Sequence, residues 1–119
     1  SENMTYNDSD DQNDFKNLTI EKQNILLDWC DLIGKTTTIN EKHTSYGLKH
    51  IFEKSQSGFY ISNGMFKGAM LKLGYKYKQC HPSSPNWFFN ISDKLSGSLK
   101  LPGGFFVIRA FHLFSLITY

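Results

Sequence analysis

Six side chains could ligate a metal ion: Cys30, Cys80, His43, His50, His81 and His112. None of them falls in a C-x-x-C or H-x-x-x-H pair, the spacings that bring two donors onto one turn or one helix face, so no metal or other cofactor is expected. A nucleophile is equally hard to find. Ser62 precedes Asn63-Gly64 but lies in no G-x-S-x-G elbow, and Gly103-Gly104 lacks the lysine that follows in a phosphate-binding loop. Asp28 and Asp31 stand one turn apart, as the wet face of a helix does, which leaves no paired carboxylates poised for acid–base work. The expectation is a protein without catalysis, and the chemistry that remains is that of lysine.

The 119 residues carry a formal net charge of only +2, but the charges are segregated. Residues 1–18 hold five acids (Glu2, Asp8, Asp10, Asp11, Asp14) against Lys16 alone. Residues 42–78 hold seven lysines (42, 49, 54, 67, 72, 76 and 78) against Glu53 alone. A basic middle of this kind suits a polyanionic partner, nucleic acid before anionic lipid, although a merely solvated lysine surface has the same composition.

The elements that would position these lysines centre on residues 62–74. Ser62 is a helix N-cap, Gly74 suits the left-handed residue that closes a helix, and Phe66, Ala69, Met70 and Leu73 form one apolar stripe. The opposite face carries Asn63, Gly64, Lys67, Gly68, Leu71 and Lys72. Two glycines cost a helix interior roughly 1 kcal/mol each relative to alanine, so their presence implies that something large approaches closely: a nucleic-acid backbone, or another helix packed there.

Residues 1–17, rich in Asp, Asn and Ser, read as a disordered acidic tail. Thr19 opens a first helix that runs to Ile33, with Gly34 ending it, and Ile25, Leu26, Trp29 and Ile33 as its core-facing repeat. Lys35 to Lys42 is polar and reads as a loop or short extended segment. A second helix runs from Thr44 or Ser45 to Lys54, with Tyr46, Leu48, Ile51 and Phe52 inward. After Gly74 the period changes to two: Tyr75-Lys76-Tyr77-Lys78 alternates like a strand, and Trp87 to Ile91 can pair with it across a proline-containing turn that holds Cys80 and His81. Three helices followed by a basic hairpin make an α+β fold, the winged helix-turn-helix, spanning residues 18–98.

Residues 99–119 form a separate apolar element. Pro102-Gly103-Gly104 breaks the chain, and the run that follows suits a core strand, a core helix or a dimerisation element. It is too short and too interrupted by Arg109 and His112 for a membrane span. With two cysteines fifty residues apart and a polar, acidic start, a reduced cytoplasmic setting is expected.

The run YISNGMFKGAMLKLGYKYK followed by WFFNIS resembles the winged-helix segment at the C-terminus of phage and plasmid primase-helicases. The longer pattern from HTSYGLKHIFE through NWFFNIS is similar to small proteins of phages and integrative elements in low-GC bacteria. The resemblance covers residues 43–92. It implies a winged-helix domain from a mobile element and supplies no catalytic residue.

Two functions compete. The first is duplex DNA binding, regulatory or accessory to replication, with Asn63, Lys67 and Lys72 in the groove and Ser45, Lys49, Lys76 and Lys78 on phosphates. The second is a small phage-type inhibitor, anti-CRISPR-like, that binds a protein such as a nuclease or replication protein. The acidic tail could also fold back and mask the basic face.

Overall fold

A computed structural model describes residues 9–95, 98–100 and 106–108. A 3-10 helix, Gln12–Asn17, leads into α1 (Ile20–Asp31), β1 (Ile33–Thr44), α2 (Ser45–Lys54), α3 (Asn63–Lys72), β2 (Tyr77–Gln79) and β3 (Trp87–Leu95). Two further short strands, β4 (Ser98–Lys100) and β5 (Phe106–Ile108), pair antiparallel with each other. The rest of the apolar C-terminal element, like residues 1–8 of the acidic segment, lies outside the described residues.

Each α-helix opens on a hydroxyl cap. Thr19, Thr44 and Ser62 accept from the backbone N–H groups of Lys22, Gly47 and Met65 and so satisfy donors that the helix itself leaves free. Gly74, at φ +86°, turns the chain after α3 in a conformation that a side chain would strain. The start and stop of this helix are therefore those its sequence dictates.

Between the helices lies an aromatic-rich core. Phe66, Ala69 and Met70 of α3 are fully buried, with Leu73 packed at their margin. Trp29 meets Phe52 and Phe66 edge-on at centroid distances of 5.4 and 6.4 Å, and Phe66 meets Phe89 at 6.2 Å. Such edge-to-face pairs add about 0.5–1.5 kcal/mol each beyond their buried area. Tyr46, expected inward on α2, is instead about half exposed. It is the second residue of the helix and lies over the surface next to His50, 4.5 Å away between ring centroids.

The sheet is antiparallel in the order β1-β3-β2, with β3 central. Trp87, Phe89 and Ile91 alternate inward from β3 and are all buried. Tyr77 and Lys78 of β2 pair with Phe89 and Phe88. The stretch 35–42, expected as a loop or short extended segment, belongs to β1. It is an edge strand whose register against β3 slips between Ile33 and Lys35, Lys35 and Asn40, and Asn40 and Thr44. Its exposed residues stay polar because only the Ile33 end reaches the core. The buried Tyr75 hydroxyl ties this end down, donating to the Cys30 carbonyl at 2.8 Å and also contacting that of Ile33. Burial pushes both the Tyr75 phenol and the Cys30 thiol above their usual pKa ranges.

Residues 9–17 do not form a disordered tail. Asp11 caps the 3-10 helix by accepting from Asn13 N–H, and Phe15 is buried in the main core. Asp14, also buried, accepts from the Ser62 hydroxyl at 2.6 Å. An aromatic anchor and a carboxylate aimed at the cap of α3 help to seat the segment against that helix.

Candidate nucleic-acid interface

The face of α3 expected to enter a DNA groove is covered by the chain's own acidic segment. A Cβ built on Gly64 would stand 2.1 Å from the Asp11 carbonyl oxygen, and one on Gly68 would stand 2.4 Å from that of Gln12 and 2.6 Å from Phe15 Cβ. These close contacts, mostly with backbone, are ones that only glycine permits. The close approach read from the two glycines is present, and what approaches is residues 9–17. Gly64 N–H donates to the Ser9 carbonyl at 2.9 Å.

Asn63 and Lys67 are each only 4% exposed, and their polar atoms are committed. The Asn63 amide donates to Asp10 Oδ1 at 2.9 Å and to Asn86 Oδ1 at 3.0 Å, while its oxygen accepts from the Ser45 hydroxyl at 2.8 Å. Both of its N–H bonds are used, leaving none to read a base. Ser45, fully buried, also accepts from Trp87 N–H at 3.1 Å. Lys67 Nζ donates to the carbonyls of Asp10 and Pro85, both at 2.7 Å, and lies 4.3 Å from the centroid of the Trp87 ring. Burial lowers the Lys67 pKa, and the negative charges of Asp10 and Asp11 partly restore it. Ser45, Asn63 and Lys67 thus form a hub that joins α2, α3, the β2–β3 loop and the acidic segment.

Lys49 is likewise turned inward. Its ammonium pairs with Glu53 at 2.9 Å and sits 5.2 and 5.0 Å from the rings of Tyr46 and Tyr60. Glu53 also accepts from Ile61 N–H at 3.1 Å, so the pair fixes the α2–α3 connection. Its aromatic and carboxylate partners leave the Lys49 charge screened from any phosphate.

Three of the seven expected contact residues remain open. Lys72 stands on the last turn of α3, where the helix dipole favours a cation. Lys76 and Lys78 flank Tyr77 at the start of the hairpin and share one face of the sheet by strand alternation. All three are exposed. Lys78 pairs with Glu41 at 2.7 Å, whereas among the described residues neither Lys72 nor Lys76 is paired with a carboxylate. Tyr77, half exposed, stacks on Trp87 at 3.8 Å between centroids. Lys35 joins this group unforeseen. Its ammonium donates to the Leu73 carbonyl at 2.8 Å and lies 4.8 Å from the centroid of the Tyr75 ring, beside the turn that links α3 to β2. A cation in a stretch read as a loop or short extended segment had no assigned place; the run of three threonines was the available sign of a strand.

Farther along β1, Asp93 of β3 accepts from Lys42 at 2.9 Å and from Asn40 at 3.0 Å, and lies 3.0 Å from His43. The Lys42 and Asn40 bonds lead in holding its carboxyl down to about 2. Asn40, Lys42 and Asp93 also line a shallow groove, where the Asn40 amide donates to the Ile91 carbonyl at 3.1 Å. Among the described residues, no group of three or more His, Cys, Asp and Glu side chains could hold a metal ion, and no helix is long and apolar enough to cross a membrane. Comparison of the chain with protein-family models, with curated proteins and with solved structures finds no match.

Proposed function

We propose that this chain is a winged-helix nucleic-acid-binding module of a phage or mobile element that meets duplex DNA through its hairpin side rather than through the centre of α3. The order α1-β1-α2-α3-β2-β3 and the sheet order β1-β3-β2 support the winged-helix reading, with the β2–β3 hairpin as the wing. The observation that carries the functional reading is the set of exposed cations Lys35, Lys72, Lys76 and Lys78 on and beside the α3–β2 connection, with the half-exposed Tyr77 on the opposite face of the strand. Lysines there reach phosphates as point charges, and a tyrosine backed by a stacked indole offers a face for a sugar or base.

The test is fluorescence anisotropy with a labelled duplex over a salt series. Lys72→Gln with Lys76→Gln should weaken binding and reduce the slope of log K against log salt by about 2, since each lost phosphate contact contributes about 0.9. Lys22→Gln with Lys54→Gln, which removes two charges from the exposed sides of α1 and α2, serves as the control for net charge. Equal losses from both variants, or no binding by the intact chain at low salt, would remove the reading. Protein binding then takes its place, favoured by the half-exposed Tyr46 and Tyr60 that flank the buried Lys49.

A further inference from the structure

The surface beneath residues 9–17 does not have the composition of a core. A segment that only completes a fold normally covers apolar side chains, yet the outer face of α3 offers Asn63, Gly64, Lys67 and Gly68. The cover matches that polarity. It brings Asp10, Asp11 and Asp14, and it reaches α3 through the Asp10 carboxylate and carbonyl on Asn63 and Lys67 and through the Asp14 carboxylate on Ser62. Only Phe15 adds a buried apolar anchor. An anionic, oxygen-rich strip therefore lies along a face of amide, ammonium and glycine, next to the wing. From this juxtaposition we infer that residues 9–17 are an intramolecular competitor of nucleic acid: the acidic segment occupies the α3 face, and its release opens that face to the duplex already held by the wing. This regulation rests on the nucleic-acid reading above.

Displacement exchanges like for like. The segment's oxygens leave Asn63 and Lys67, and phosphate oxygens replace them. Gly64 and Gly68, which now admit the backbone of residues 11 and 12, then admit the sugar-phosphate backbone. Lys67 keeps its seat over Trp87 and its bond to the Pro85 carbonyl, so its ammonium stays aimed at the vacated strip. Tight seating of the cover and low basal affinity follow from the same contacts.

The experiment uses the full chain with Phe15→Ala, which weakens the anchor without changing charge, and reads two quantities. Trypsin cleavage after the exposed Lys16 reports release of the segment, and duplex anisotropy at fixed salt reports affinity. Phe15→Ala should speed cleavage and tighten duplex binding by about tenfold, a typical coupling between linked sites. Adding Lys67→Gln to that variant should take the gain back. Should Phe15→Ala fail to fold, the intact chain still decides, because saturating duplex should accelerate cleavage after Lys16. Faster cleavage without tighter binding, or duplex that leaves Lys16 cleavage in the intact chain unchanged or slower, makes the segment a structural clamp and overturns the inference. That result leaves the wing reading standing if Lys72→Gln with Lys76→Gln still weakens binding. Absence of duplex binding by the intact chain at low salt removes the wing reading and the inference together.

Discussion

Replacing Gly64 or Gly68 by alanine opposes two effects whose balance follows from the structure. In an exposed helix, alanine stabilises relative to glycine by about 1 kcal/mol. At Gly64 the new methyl would meet the Asp11 carbonyl oxygen at 2.1 Å and its backbone nitrogen at 2.8 Å. A backbone cannot rotate aside as a side chain can, so the segment must retreat by roughly 1 Å to restore van der Waals contact. That retreat stretches the Gly64–Ser9 bond of 2.9 Å and the Lys67–Asp10 bond of 2.7 Å. Overpacking costs about 1–3 kcal/mol, and loss of the two hydrogen bonds, one of them charge-assisted, about another 1–2 kcal/mol. Set against the propensity gain, the net destabilisation is about 2 kcal/mol, a fall in Tm of on the order of 10 °C for a domain of this size. Gly47 is the internal control. It is exposed on α2, and an added Cβ meets only the Thr44 hydroxyl at 3.4 Å, so Gly47→Ala should raise stability by up to about 1 kcal/mol. Thermal unfolding followed by far-UV circular dichroism measures all three variants. An alanine at Gly64 and at Gly68 that stabilises as the one at Gly47 does would refute the seating of residues 9–17 on α3.

Two further outcomes are expected. Asp93 is held near 2, below the ordinary carboxylate value, so its bonds stabilise the fold above that ordinary value, and the contribution is lost as pH falls toward 2. The Tm gap between the wild type and Asp93→Asn should therefore be widest above about pH 5 and close in acid, and a gap that persists at pH 2 would contradict the assignment. In thiol labelling at neutral pH, Cys80 should react first, while Cys30, fully buried and with its pKa pushed up by burial, should react only at the rate of unfolding.

The sequence made local features legible and long-range ones obscure. Ser62 and Gly74 mark the limits of α3 because capping and the left-handed turn are decided within a few residues. The apolar stripe of the same helix names its buried face for the same reason. Its other face is ambiguous by nature, since Asn63, Gly64, Lys67 and Gly68 suit a phosphate backbone and a peptide backbone equally well. The alternative of protein packed against the glycines is the one that holds, in the form of an acidic 3-10 helix rather than a longer one. The partner at Gly64, Asp11, lies 53 residues earlier in a stretch whose composition alone argues for disorder. Phe15, with Leu18 one turn on, was the nearest sign in the sequence that residues 9–17 had something to bury. Ser45 and Lys49 were misplaced for a related reason: a hydroxyl and an ammonium on a helix look solvent-facing until Asn63, Trp87 and Glu53 arrive from elsewhere. β1 was legible only as a loop or short extended segment, because an edge strand with slipped register need not alternate.

The distance along the chain between Asp10 and Lys67, 57 residues, also orders events during synthesis. At about 5–20 residues per second the acidic strip leaves the ribosome several seconds before its seat exists, and longer before the hairpin that supplies the Pro85 carbonyl. The helices α1 and α2 can form meanwhile, whereas the sheet waits for β3, whose Leu95 pairs with Ile33 across 62 residues. Every newly made molecule therefore passes through an interval in which the acidic strip is outside the ribosome and its seat on the third helix does not yet exist.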